Sequence, residues 1–143
     1  MTPRPLLAEI FVTLLYPLLL ALSLWVMLRG HNAPGGGFIG GLMAVAASAA
    51  YALVHGVGPA LRKMPLAPAP LSAGGVLLAM ASSLPGAWQG LPPLTQLWWD
   101  LPLGGVSLPL STVMLFDFGV YLAVWGAVGG YCLGLVETIE GRR

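Results

Sequence analysis

The sequence predicts an all-α integral membrane protein of four transmembrane helices, with a Pro/Trp-rich interfacial loop between helices 3 and 4. Three observations predict it. Of the 143 residues, 57% are hydrophobic and only 8% charged, at a mean hydropathy of +0.86, whereas soluble domains carry about 25% charged residues. The apolar residues fall in runs long enough to cross a hydrocarbon core, which takes about 20 residues per helix. Between the runs lie segments dense in glycine, proline or charge, where helices end. The length leaves no room for a separate soluble domain, so residues 1–143 form one membrane domain with helices over 7–29, 38–58, 68–86 and 109–136.

Helix 1 follows from the uncharged run Ile10 to Leu28, with Glu9 before it and Arg29 after it. The run is longer than the apolar part of a signal peptide and has no small-residue cleavage pattern beside it. Pro17 predicts a kink, because membrane helices tolerate proline better than soluble ones do. Helix 2, Phe38 to Val57, contains no Lys, Arg, Asp or Glu. Gly36, Gly40, Ala44, Ser48, Ala52 and Gly56 recur every fourth residue along it. Such a stripe lets another helix approach at close backbone distance, and Ala44, Ser48 and Ala52 are its candidate packing positions.

The connector holds Arg62 and Lys63 and closes on Pro65, Pro68 and Pro70. The apolar run Leu71 to Leu84 reaches only about 21 Å at 1.5 Å per residue, so helix 3 must borrow residues from one or both flanks. From Pro85 to Pro109 the chain has five prolines and three of its five tryptophans, Trp88, Trp98 and Trp99. Proline interrupts helix and tryptophan prefers headgroup depth, which predicts an interfacial loop with at most one short helical turn. Helix 4 runs from Leu110 to Val136 with one charge, Asp117. Gly126, Gly130 and Gly134 give it a small-residue stripe of its own.

With four spans, both termini and the helix 2–3 connector share one side, which holds Arg4, Arg62, Lys63, Arg142 and Arg143 against Arg29 alone on the other. The positive-inside rule then places both termini in the cytoplasm.

The segment Arg29 to Gly41 is not explained by apolar character: six of its thirteen residues are glycine, and Pro34 precedes the densest group. His31, Pro34, Gly35, Gly36, Gly37, Phe38, Gly40 and Gly41 make it a candidate structural motif, either a packing joint or a site. Its formal G-x-G-x-x-G match is discounted, since a dinucleotide fingerprint follows a strand within a βαβ unit and this one follows a membrane helix. No metal site is expected, because His31 and His55 stand near opposite ends of helix 2 without partners at ligand spacing. Cys132 is single, which excludes an internal disulfide. The acids are scattered, no catalytic constellation forms, and the chain is expected not to be an enzyme. No basic patch suggests nucleic acid.

Two segments resemble a known family. Gly30-His-Asn-Ala-Pro-Gly-Gly-Gly-Phe-Ile-Gly-Gly41 resembles the loop and helix start of the MnhB/MrpB subunit of multi-subunit Mrp-type sodium/proton antiporters, where a His, then Pro-Gly-Gly-Gly-Phe and a Gly pair recur. Leu110 to Val128 resembles that family's last helix, which also has Phe-Asp-x-Gly-Val, here Phe116 to Val120. The two motifs stand in the family's order.

The resemblance implies a small subunit of an assembly that uses the inward proton gradient to expel sodium. Its partners would be the other antiporter subunits and membrane lipid. It would have no cofactor, with Na+ and H+ as the transported ions, and would sit as a multi-pass protein in a prokaryotic inner (plasma) membrane. The same module in a membrane-bound hydrogenase or related respiratory complex is the alternative. Within this frame Asp117 is the candidate ion-route residue. A carboxylate inside the membrane costs up to ~2.5–3.5 kcal/mol on insertion scales and so faces a partner, a polar cavity or a proton. Either it lines a cation or proton route formed with another subunit, or it caps a backbone donor or pairs with Arg29 or a neighbouring subunit.

Overall fold

The computed structural model describes residues 6–30, 35–92, 95–103 and 106–141. Among them the chain forms α1 (Leu6–Arg29), α2 (Gly36–His55), α3 (Val57–Lys63), α4 (Pro68–Ala81), α5 (Leu84–Trp88), β1 (Trp98–Leu103), β2 (Val106–Ser111) and α6 (Thr112–Glu140). Four segments are long and apolar enough to cross a membrane: α1, α2, the run Val57–Trp88 and α6. The chain is a multi-pass membrane protein.

Several boundaries differ from the sequence expectation, each for a local reason. The second helix ends at His55 rather than running to 58. Gly56 takes φ 89°, outside the helical region, while its amide still donates to the Ala52 carbonyl at 2.8 Å. The third helix, expected over 68–86, divides into α4 and α5. The Ser82 and Ser83 hydroxyls donate back to the carbonyls of Ala79 and Met80 at 2.6 and 2.7 Å. Pro85 then has no N–H to continue the ladder. The last helix starts at Thr112 instead of 109, because 109–111 belong to β2, and it extends to Glu140 instead of 136. In α1 the helix runs unbroken through Pro17.

The segment expected as an irregular interfacial loop is more ordered than that. After the short α5 it contains an antiparallel hairpin, with Trp98 opposite Ser111 and Leu103 opposite Val106. Its prolines do not prevent this. Pro102 faces Ser107 and Pro109 faces Asp100, so both fall in the same alternating class of pair. We assign that class as the one whose N–H groups point away from the neighbouring strand, where a missing donor leaves the ladder intact. The hairpin is tied to α6 through Thr112: its amide donates to the Leu97 carbonyl at 3.0 Å, its hydroxyl accepts from the Leu97 amide at 2.9 Å, and that hydroxyl donates to Gln96 Oε1.

The crossing helices stand in the spatial order α1, α2, α6, α4, with α1 touching α6 only slightly. Ser23 and Met27 of α1 lie against Gly40, while Thr13 reaches His55, so α1 and α2 are antiparallel. Gly37 meets Asp117 and Gly41 meets Tyr121 and Val124, so α2 and α6 run in the same direction. The core between them holds Tyr16, Val45, Tyr51, Tyr121, Trp125 and Leu133.

Candidate functional site

The glycine segment builds the end of the bundle where Asp117 lies. Gly35 has φ 96°, a left-handed conformation that costs a side-chain-bearing residue about 1 kcal/mol or more, and its carbonyl accepts the first α2 bond from Ile39 at 3.0 Å. Beyond it the backbone of Gly36 lies on that of Gly30, and Gly37 lies on the backbone of Asp117. A side chain at Gly37 has no room unless α6 moves. Gly40 and Gly41 continue this close approach, and all four α2 glycines are buried. Phe38, by contrast, is half exposed on the outer surface beside Ile39. His31 and Pro34 lie outside the described residues.

Asp117 is five residues into α6, roughly 8 Å below its start by the helical rise. It lines a pocket of about 460 Å³ with Met27, Leu28, Ser111, Met114, Leu115 and Phe118. Arg29 does not lie along this pocket's wall; its guanidinium sits 5.5 Å above the Trp25 ring of its own helix. Ser111 is 8% exposed, and among the described residues its hydroxyl has no hydrogen-bond partner. It is the N-cap residue of α6, yet the side chain makes no capping bond, although serine at that position ordinarily satisfies an orphan amide.

Deeper in the bundle the buried polar groups find one another. Ser23 Oγ and the Tyr121 hydroxyl are 2.9 Å apart. One turn on, the Trp125 indole N–H donates to Ser48 Oγ at 2.9 Å, and Ser48 donates to the Ala44 carbonyl at 3.0 Å. Towards the other end, the Tyr16 hydroxyl donates to the Lys63 carbonyl at 3.3 Å, and the Lys63 ammonium lies 5.8 and 5.6 Å from the Tyr16 and Tyr51 rings. His55 stacks on Tyr51 with ring centroids 4.2 Å apart. Its Nε2 lies 3.2 Å from Thr13 Oγ1, whose own proton goes to the Glu9 carbonyl at 2.7 Å. Nε2 is therefore the donor in this contact, and Nδ1 is buried without a hydrogen-bond partner among the described residues.

The packing residues expected from the stripes separate into two groups. Ala44, Ser48 and Ala52 are buried between α1 and α6. Gly126 and Gly130 lie against Pro68 and Ser72 of α4, whereas Gly134 faces open space, because α4 has no residue that far along. Sequence reasoning did not pick out Ser111, Ser23, Tyr121 or Trp125. The only prior signal was polar or amphipathic residues inside apolar runs.

Four crossing helices in glycine-mediated contact, with an acid in an apolar pocket at one end, define a small multi-pass membrane protein with an intramembrane carboxylate. The chain belongs to the MnhB family: residues 7–130 match the family model described as the domain related to the MnhB subunit of Na+/H+ antiporter. It is 36% identical over 122 residues to the B-type Na(+)/H(+) antiporter subunit of Alkalihalophilus pseudofirmus, covering 84% of each chain. It is 32% identical over 124 residues to the B-type antiporter subunit of Bacillus subtilis, covering 85% of this chain and 83% of the relative. Among solved structures, a chain of the Mrp complex from Dietzia sp. DQ12-45-1b superposes with a TM-score of 0.73 at 35% identity over 90% of this chain. The present chain spans only 14% of that longer polypeptide.

Proposed function

We propose that this protein is the B-type subunit of a multi-subunit sodium/proton antiporter in a prokaryotic plasma membrane. In this proposal both termini are cytoplasmic, and Asp117 lines a cation or proton route completed by a neighbouring subunit. Its relatives are named as antiporter subunits over more than four-fifths of their length, which supports the assignment to such an assembly. The observation that carries the role of Asp117 is its position. It is the single acid between Leu110 and Val136, and it lines an open pocket at the bundle's edge rather than the closed interior. Intramembrane acids with that placement mark ion and proton pathways. The chain brings no catalytic centre and no cofactor of its own; sodium and protons are the cargo of the whole complex.

Asp117→Asn tests the role, since it keeps the shape and most hydrogen bonding while removing the charge. The mutant complex should assemble at normal size, and sodium-dependent proton movement in everted vesicles should be lost. Full exchange in an assembled mutant removes Asp117 from the route.

A further inference from the structure

We infer that the end of the bundle away from Asp117 holds a site for a phospholipid whose headgroup ends in a primary ammonium, of the phosphatidylethanolamine type. The ammonium would sit on the Glu9 carboxylate and the lipid would lie along α1. This site stands whether or not Asp117 lines an ion route.

Its basis is a pocket of about 340 Å³ lined by Leu6, Glu9, Ile10, Thr13, Leu14 and His55, within the ~300–1,000 Å³ of small-molecule sites. The first five share one face of α1, at the three- and four-residue spacing that stacks side chains along a helix, and His55 closes the pocket from α2. The polar groups of this wall are left as acceptors. The Thr13 hydroxyl gives its proton to the Glu9 backbone carbonyl, and the His55 Nε2–H is spent on Thr13. Among the described residues no ion pair engages the Glu9 carboxylate. A ligand here must therefore bring positive charge and N–H donors, and an ammonium needs only one carboxylate oxygen to do so.

The rest of the wall selects a lipid. Leu6 is 70%, Ile10 52% and Leu14 68% exposed, so the pocket opens sideways onto the outer face of α1. Glu9 is the fourth residue of that helix, about 5 Å from its start, and Leu14 lies a further ~8 Å along it. An acid near the helix end, followed inward by an apolar strip, matches a headgroup and the upper part of an acyl chain. The occupant thus comes from the bilayer, with its ammonium on Glu9 and its hydrocarbon on Ile10 and Leu14.

The test uses the intact complex in nanodiscs of phosphatidylethanolamine, phosphatidylcholine and phosphatidylglycerol in equal parts. Each lipid in turn carries, as a trace label, a diazirine high on its acyl chain, and the crosslinks formed on illumination are mapped by mass spectrometry. The ethanolamine lipid should mark the segment Leu6 to Leu14 about three- to tenfold more than the choline lipid, whose trimethylated nitrogen has the charge but no N–H. The glycerol lipid, which has no cation, should mark it no more than the choline lipid does. Glu9→Gln should bring the ethanolamine lipid down to the choline level.

Equal marking by these two lipids in the wild-type complex overturns the proposal. So does a preference retained in Glu9→Gln, or no marking of the segment by any lipid, as when a neighbouring subunit covers it. If Glu9→Gln does not assemble, Ile10→Trp decides, because it fills the pocket and leaves the carboxylate in place. Loss of the preference there supports the site, and an unchanged preference overturns it. Ion exchange is not measured in this experiment, so failure of the lipid site and failure of the antiporter reading are separate outcomes.

Discussion

Ser48 shows at the residue scale what a sequence conceals. It stands in a four-residue repeat of small side chains, which marks it as a packing position, and it is indeed buried. Its hydroxyl also accepts from the Trp125 indole, 77 residues away in the chain, and no local pattern announces a bond at that separation. Hydrogen bonds between membrane helices average about 0.6 kcal/mol and reach ~1.7. The two partners are not equivalent. Trp125→Phe leaves Ser48 bonded to the Ala44 carbonyl, whereas Ser48→Ala strands a buried indole N–H, which costs about 1–3 kcal/mol. Ser48→Ala should therefore lower the unfolding midpoint of the protein in mild denaturing detergent. The double-mutant cycle with Trp125→Phe should give a coupling of about 0.5–1.5 kcal/mol. A coupling near zero means the bond contributes nothing to holding α2 on α6.

Among the elements, α4 and α6 approach each other closely through glycines on both helices. A methyl group at Gly119 would stand 2.5 Å from the Ala79 amide nitrogen and 2.7 Å from the Gly75 carbonyl oxygen, and one at Gly75 would stand 2.6 Å from the Gly119 carbonyl oxygen. Each glycine thus offers its Cα–H to the other's carbonyl, the geometry of weak C–H···O bonding between helices. The Gly126–Gly130 pair was legible as small positions. Gly119 was not, because it was noted only within the Phe-Asp-x-Gly-Val motif.

The hairpin was also legible in principle. Gly104-Gly105 separates two runs by two residues, a hairpin signal; the expectation of a loop rested on the prolines and tryptophans alone. The glycine contact gives a controlled prediction. Gly75→Ala and Gly119→Ala should force the helices apart and destabilise the fold by about 1–3 kcal/mol. Gly74→Ala and Gly134→Ala, where nothing lies within 4 Å, should be neutral or slightly stabilising, since alanine is the better helix former. Equal effects at all four positions would mean that the close approach is not a stability determinant.

For the whole molecule, the small-residue faces are largely used up inside the chain, on α1–α2, α2–α6 and α4–α6, so they do not by themselves call for further subunits. The surface left for neighbours or lipid includes the outer face of α1, where Leu7, Phe11, Leu14 and Leu18 are each more than 60% exposed, and the outer sides of α4 and α6, where Leu77, Met80 and Tyr131 are equally exposed. The two ends of the bundle differ chemically. One has Arg62 and Lys63 at the close of α3. The other has Trp88, Trp98 and Trp99, each at least half exposed, as suits side chains that settle at headgroup level.

Four crossings put the termini at the basic end, and the excess of Lys and Arg is the ground on which we propose that this end is cytoplasmic. Cysteine labelling checks this in a Cys132→Ser background, which removes the single native thiol. Gln89→Cys, just beyond α5 at the tryptophan end, should react with a membrane-impermeant maleimide in intact cells. Gly141→Cys, at the close of α6, should react only after the membrane is opened. The opposite pattern would reverse the orientation. Asp117 and its pocket would then open to the cytoplasm, and in the proposed antiporter a proton could not enter the route there from outside.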